Sequence, residues 1–227
     1  MKLIAKVVMP LLAVAFCLMA INARAVDLTP YASVKAAYTS IQNKDFDYDK
    51  SLNSKLAVGV GADVGKEGVL RAELEYSGTS ASYYTYTGTT ASGGTNEEAS
   101  SKTENKTLLL NAYFDIKTGT VFTPYIGAGF GINNSSLETN FISGRYSVPV
   151  SIVSGWKPAW DIGAGVGIKV AKTLTLDIGY RYSDLGTFKG RYGLYYDDGT
   201  SVARVAEGEA KYALTSHEAV LGVRYTF

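Results

Sequence analysis

Eight segments of this chain alternate apolar and polar residues with a period of two, and that alternation leaves few folds open. Successive side chains of an extended strand point to opposite faces, so a period of two splits each segment into an apolar and a polar face. The clearest case is residues 69–77, where Leu70, Ala72, Leu74 and Tyr76 alternate with Arg71, Glu73 and Glu75. Residues 159–170 set Trp160, Ile162, Ala164, Val166, Ile168 and Val170 against Asp161, Lys169 and the glycines between them. The other segments are 31–38, 53–64, 107–116, 122–133, 174–183 and the stretch ending at Phe227, which puts Ala219, Leu221, Val223, Tyr225 and Phe227 on one face. No helical stripe competes with this pattern after residue 25.

The connections alternate between short and long. Residues 64–68, 117–120 and 171–173 are tight turns, whereas about 40–52, 78–106, 134–158 and 184–211 are long. A tilted transmembrane strand needs about 9–11 residues. An even number of such strands, with short turns on one side and long loops on the other, is the pattern of a membrane barrel. The expected fold is all-β, an eight-stranded antiparallel up-and-down transmembrane β-barrel. Eight strands leave an interior only wide enough to be filled by side chains.

Period alone does not say which face looks inward, but the contents of the faces do. One face holds Lys35, Lys55, Arg71, Glu73, Glu75, Asp161, Asp177, Arg181, Glu218 and Arg224; the other is Leu, Val, Ile, Ala and aromatic almost throughout. A charge facing lipid at mid-depth costs about 2–4 kcal/mol, so a uniformly apolar face points to lipid outside and a charged lumen. The alternative is a soluble lipocalin-like cup with the faces reversed, which would need an apolar ligand cavity. Leu221, Val223, Tyr225 and the terminal Phe227, at every second position, form the pattern recognised by the outer-membrane assembly machinery and favour the membrane barrel. Tyr38, Tyr76, Trp160, Tyr180 and Tyr182 fall near strand ends on the apolar face, where aromatic girdles form.

The N-terminus reads as an export signal. Lys2 and Lys6 precede an apolar run over residues 7–21, and Ala23-Arg24-Ala25 supplies a small-x-small cleavage site. The run is shorter than the roughly 20 residues a spanning helix requires. Cleavage is expected before Val26, giving a leader of residues 1–25 and a barrel of residues 26–227. The chain has 22 Lys+Arg and 21 Asp+Glu; Lys2, Lys6 and Arg24 leave with the leader, so the barrel carries 19 against 21. That near-neutral balance argues against a nucleic-acid partner, which would want a basic face. Cys17, the only cysteine, also leaves, and with it disulfide and thiolate chemistry. The expected destination is the outer membrane of a Gram-negative cell, reached through the periplasm.

With the strands placed, a family resemblance follows. Residues 176–186, Leu-Asp-Ile-Gly-Tyr-Arg-Tyr-Ser-Asp-Leu-Gly, resemble the Tyr-Arg-Tyr-x-Asp-Leu-Gly seventh-strand signature of opacity-type outer-membrane proteins. Thr123-Pro124-Tyr125-Ile126-Gly127-Ala128-Gly129 is similar to their fifth strand, and Trp160-Asp161-Ile162-Gly163-Ala164-Gly165 to their sixth. The resemblance covers most of residues 30–227 but not the long loops. It implies a surface antigen, adhesin or invasin acting through its loops; some members are described as small porins.

Three groups of residues are candidates for function. The ten lumenal charges, five of each sign, either line a narrow ion path or pair into a plug. Unpaired burial would cost several kcal/mol per ion, so the plug is favoured. The loop tyrosines Tyr83, Tyr84, Tyr86, Tyr146, Tyr192, Tyr195 and Tyr196 lie among Ser, Thr and Gly, the composition of adaptable recognition surfaces; alternatively they extend the strands as a rim. Ser216-His217-Glu218 offers the residue types of a hydrolytic site, but adjacent strand residues face opposite ways, so no enzyme is expected. The glycine runs, strictly spaced by two with no helix following, do not make a phosphate loop. No cofactor is expected. The expected partners are outer-membrane lipid and lipopolysaccharide, the assembly machinery, and a host or cell-surface ligand at the loops.

Overall fold

The computed structural model describes residues 27–43, 46–89, 96–143, 145–152, 155–197 and 199–227. The expected cleavage site at Ala23 and Ala25 lies outside the described residues. Among the described residues nine strands follow in order: β1 (Leu28–Asn43), β2 (Phe46–Asp63), β3 (Gly68–Thr89), β4 (Asn96–Ile116), β5 (Phe122–Ser143), β6 (Tyr146–Ile152), β7 (Trp156–Lys169), β8 (Leu174–Asp197) and β9 (Val202–Thr226). All pairings are antiparallel. β6 and β7 are two pieces of one strand: β5 pairs with β7 over residues 122–134 and with β6 over 137–143, and β8 pairs with both on the other side. Pairing of β1 with β9 closes the ring. The nine strands therefore form a closed eight-stranded barrel, as the periodicity predicts. Closure leaves no sheet edge at membrane depth, where every backbone polar group needs a partner.

The register fixes the faces. Val34, Leu56, Val58, Ile126, Ile162, Ile178 and Leu221 point outward and are exposed, while Lys35, Lys55, Arg71, Glu75 and Arg181 on the same sheet are buried. Water would reverse this order, and only a hydrocarbon surround makes it favourable. Ile162 is 56% exposed at the middle of β7. Ile162→Arg should therefore destabilise the barrel by about 2–4 kcal/mol in lipid vesicles, read by urea unfolding. A change near zero would mean that this face meets water.

The short turns sit at the opposite end from the hairpin tips. Gly65 (φ +98°) and Gly119 (φ +71°) take left-handed conformations that a side chain disfavours. Asp63 accepts from the Gly65 N–H at 2.9 Å and from Lys117 Nζ at 2.6 Å. The Lys117 bond, then the backbone bond, holds the Asp63 carboxyl below its usual range.

Two features depart from the sequence expectation. The stretches 40–52, 78–106, 134–158 and 184–211, expected as long loops, are nearly all paired strand wherever they are described. β3 reaches Thr89 and β8 reaches Asp197, so the outer connections are tall hairpins. Their Thr, Tyr and Val content suits strands, but outside lipid neither face must be apolar, so the period-two signal fades. The second feature is a bulge in β8. Asp184 pairs with Thr215 and Gly186 with Leu214, leaving Leu185 unpaired. Asp184 Oδ1 accepts the Gly186 N–H at 2.8 Å, and Gly186 adopts φ +93°, the backbone that an extra residue in a ladder requires. Below the bulge the odd residues of β8 face inward; above it Phe188 does.

Candidate functional site

The lumen is the most heavily built part of the molecule. All ten charges named from the sequence lie inside it and are buried. They fall into layers. Nearest the short turns, Arg71 Nε donates to both oxygens of Asp115 at 2.9 and 2.8 Å. Arg224 donates to Asp177 at 3.0 and 3.1 Å and lies 3.4 Å from Asp115. The Arg71 guanidinium stands 4.5 Å from the ring centre of Tyr113, 5.4 Å from Tyr125 and 5.7 Å from Tyr31, within cation–π range.

The middle layer centres on Glu75, which is 1% exposed. Arg181 donates to both of its oxygens, Lys35 Nζ lies 2.7 Å from it and Lys55 Nζ 3.8 Å. Lys35 also pairs with Glu73. Lys55 bonds Glu218 at 2.9 Å, and Arg181 lies 3.5 Å from Asp161. Burying ions is costly, and ion pairing of this density is what offsets the cost; Asp161 Oδ2, Glu218 Oε2 and the Asn111 side-chain amide are buried without a hydrogen bond among the described residues.

The outer layer is neutral. Asn53 donates to Thr39 at 2.9 Å and Thr107 to Asn133 at 2.9 Å. Asn133 donates to the Leu185 carbonyl and to Ser135, each at 3.0 Å. Above it Ile41, Leu185, Phe188 and Leu214 form a buried apolar cluster, with Phe188 at 0% exposure. Charge, neutral hydrogen bonds and an apolar cap thus succeed one another towards the outside. One cavity, among Lys35, Arg71, Tyr113, Asp161, Asp177 and Arg181, measures about 30 Å³, room for about two waters.

Glycines make this filling possible. A Cβ on Gly59 would meet the Tyr31 ring at 2.5 Å, and one on Gly165 would meet the Tyr125 ring at 2.5 Å. Sequence reasoning set Tyr125 on the glycine-bearing face of its strand but did not name Asp115, Tyr31 and Tyr113 as lumen residues. The signal was present: Asn111, Tyr113 and Asp115 share one face of β4, opposite Leu108, Leu110, Ala112, Phe114 and Ile116.

The remaining candidates are spread over the outside. Leu221, Val223, Tyr225 and Phe227 form an outward stripe on and just after β9. His217 faces outward too, bonding the Tyr180 hydroxyl at 2.5 Å with its ring 5.2 Å from that of Tyr182. Ser216 and Glu218 face the lumen, so the three do not converge. Among the described residues no group of three or more His, Cys, Asp or Glu is placed to hold a metal. Tyr83, Tyr84 and Tyr86 belong to the upper part of β3. Tyr146 on β6 and Tyr196 on β8 are cross-strand partners, their rings 5.0 Å apart, and Tyr192 and Tyr195 lie on the same stretch of β8.

Known proteins share this architecture. PagN, an outer membrane protein of Salmonella typhimurium strain LT2, is 32% identical over 123 residues, covering 53% of this chain and 49% of PagN. The opacity protein opA66 of Neisseria gonorrhoeae is 28% identical over 155 residues, 58% of this chain and 56% of its own. The chain spans about half the length of these curated relatives. Among solved structures, Neisserial surface protein A superposes with a TM-score of 0.50 at 18% identity, covering 88% of this chain and 99% of its own. A major outer membrane protein from Thermus thermophilus does so with the same TM-score and coverage at 12% identity. Both likenesses bear on the fold alone. Residues 9–227 match the outer membrane protein beta-barrel domain family, and a closed barrel with lipid-facing apolar strands is what such a match requires; the chain belongs to that family and resides in the outer membrane of Gram-negative cells.

Proposed function

We propose that this protein is a non-enzymatic surface adhesin in which the barrel is a closed anchor and the tall outer hairpins make the contact. One observation carries this reading: the hairpins expose aromatic and apolar side chains outside the membrane. Tyr146 is 48% exposed, Tyr192 41%, Val202 64% and Val205 56%, on a rigid paired scaffold. Exposed apolar patches on a water-facing surface mark interaction sites. Similarity to PagN and to opacity proteins supports the same assignment. In this reading the outward stripe Leu221, Val223, Tyr225 and Phe227 serves recognition by the assembly machinery before it meets lipid.

Trimming the β8–β9 hairpin tests this. Arg191 and Glu209 are cross-strand partners, so deleting residues 192–208 and joining them through Asn-Gly keeps the register. Bacteria carrying the trimmed protein should bind epithelial monolayers far less than those carrying the parent, with equal amounts of folded barrel in the outer membrane. Binding at the parental level would overturn the reading. A small porin is the competing function, favoured by the charged lumen. The pairing of those charges and the apolar cap weigh against it.

A further inference from the structure

The outer half of the β8–β9 hairpin places two lysines in an unfavourable position. Lys189 and Lys211 are directly opposed across the ladder. Both are exposed, on the face opposite Phe188 and Leu214, and therefore point away from the barrel axis. Side chains so opposed lie about 5 Å apart at Cβ, and like charges there are destabilising. Neither lysine forms an ion pair with a described carboxylate.

The neighbouring rungs do not neutralise them. Arg191 and Glu209, one outward rung further out, face each other at 3.6 Å and cancel. Arg204 and Glu207, further still, pair with each other. Towards the membrane the next outward rung is Thr187 and Ala213. Below it stands the Asp184 carboxylate, one oxygen of which accepts the Gly186 N–H, and then come Tyr182 and His217 of the aromatic belt. Lys50 shares the His217 level, since Ser40 pairs with both. The outward surface of β8, β9, β1 and β2 thus passes from lipid-facing aromatics, with Lys50 at their level, past the Asp184 carboxylate to the directly opposed lysines. Six residues separate His217 from Lys211. At about 3.3 Å per residue and a tilt of about 40°, the lysine pair stands about 15 Å above the belt. Their aliphatic stems let the ammonium groups bend back towards it. That height is the saccharide headgroup zone of the outer leaflet.

We propose that Lys189 and Lys211 form a site for a phosphate of the saccharide headgroup of outer-leaflet lipopolysaccharide. An anion between them converts a repulsive pair into two charge-assisted contacts. The site is continuous with the apolar surface that the acyl chains of the same molecule would cover. It is independent of the adhesin reading.

The test uses the full barrel refolded into phosphatidylcholine nanodiscs. Heat modifiability on gels gives the melting midpoint, with and without purified lipopolysaccharide. The parent should melt at a higher temperature with lipopolysaccharide. K189A/K211A should lose most of that shift, and K189R/K211R should keep it. Without lipopolysaccharide K189A/K211A should be as stable as the parent or more so, because the repulsion is gone. A merely structural role for the lysines predicts the opposite baseline. Lipopolysaccharide stripped of phosphate should give no shift. An equal shift in K189A/K211A would overturn the proposal. So would an equal shift in the parent from phosphatidylglycerol or free inorganic phosphate, which would show general charge attraction rather than a headgroup site.

Discussion

Glu75→Gln is expected to cost the folded barrel about 3–5 kcal/mol, the penalty for leaving buried charge uncompensated. Glutamine keeps the volume, so packing is preserved and charge alone changes. Arg181, Lys35 and Lys55 all converge on this one carboxylate; its loss leaves them only Asp161, Glu73 and Glu218 as counter-charges. The reference variant is Glu207→Gln, whose partner Arg204 is on the exposed rim; a surface pair contributes about 0–1 kcal/mol. Urea unfolding followed by tryptophan fluorescence in micelles compares the two. If both changes were equally small, the lumen would be wet and its ions solvated rather than paired.

How far this arrangement could be read from the chain depends on which solvent each part meets. Inside the membrane the two faces of a strand must differ sharply, so Arg71, Glu73 and Glu75 against Leu70, Ala72 and Leu74 gave both strand and orientation. The ten lumenal charges could be placed by parity alone. What parity does not give is partnership: that Arg71 meets Asp115 across the β3–β4 ladder while Arg181 reaches Glu75 across the lumen follows from closure and register. Above the membrane the constraint is absent. The hairpins there read as loops because Ser, Thr and Tyr occupy both faces. The Leu185 bulge also moves the inward set of β8 from odd to even positions. Simple alternation would turn Phe188 outward; the Asp184-Leu185-Gly186 sequence carries the signal of a bulge.

Phe188→Ala should cost about 3–5 kcal/mol, as for other large-to-small changes at buried aromatic sites. Phe188 is the largest fully buried side chain among the described residues and the centre of the apolar cluster with Ile41, Leu185 and Leu214. The same urea experiment measures it, and Phe188→Leu, which refills most of the volume, should recover much of the loss. A cost under about 1 kcal/mol would place Phe188 in a loosely packed rim rather than a cap, since exposed sites rarely exceed half that.

Both variants probe the packing that shuts the barrel, on which the assignment of contact to the hairpins rests. The most direct measurement is current through planar bilayers containing the refolded parent, with gel mobility confirming that the inserted protein is folded. The paired charges and the apolar cap predict no reproducible single-channel steps at any applied voltage. Uniform steps that disappear when the protein is boiled before insertion would contradict the account and make the lumen, rather than the hairpins, the working part of the molecule.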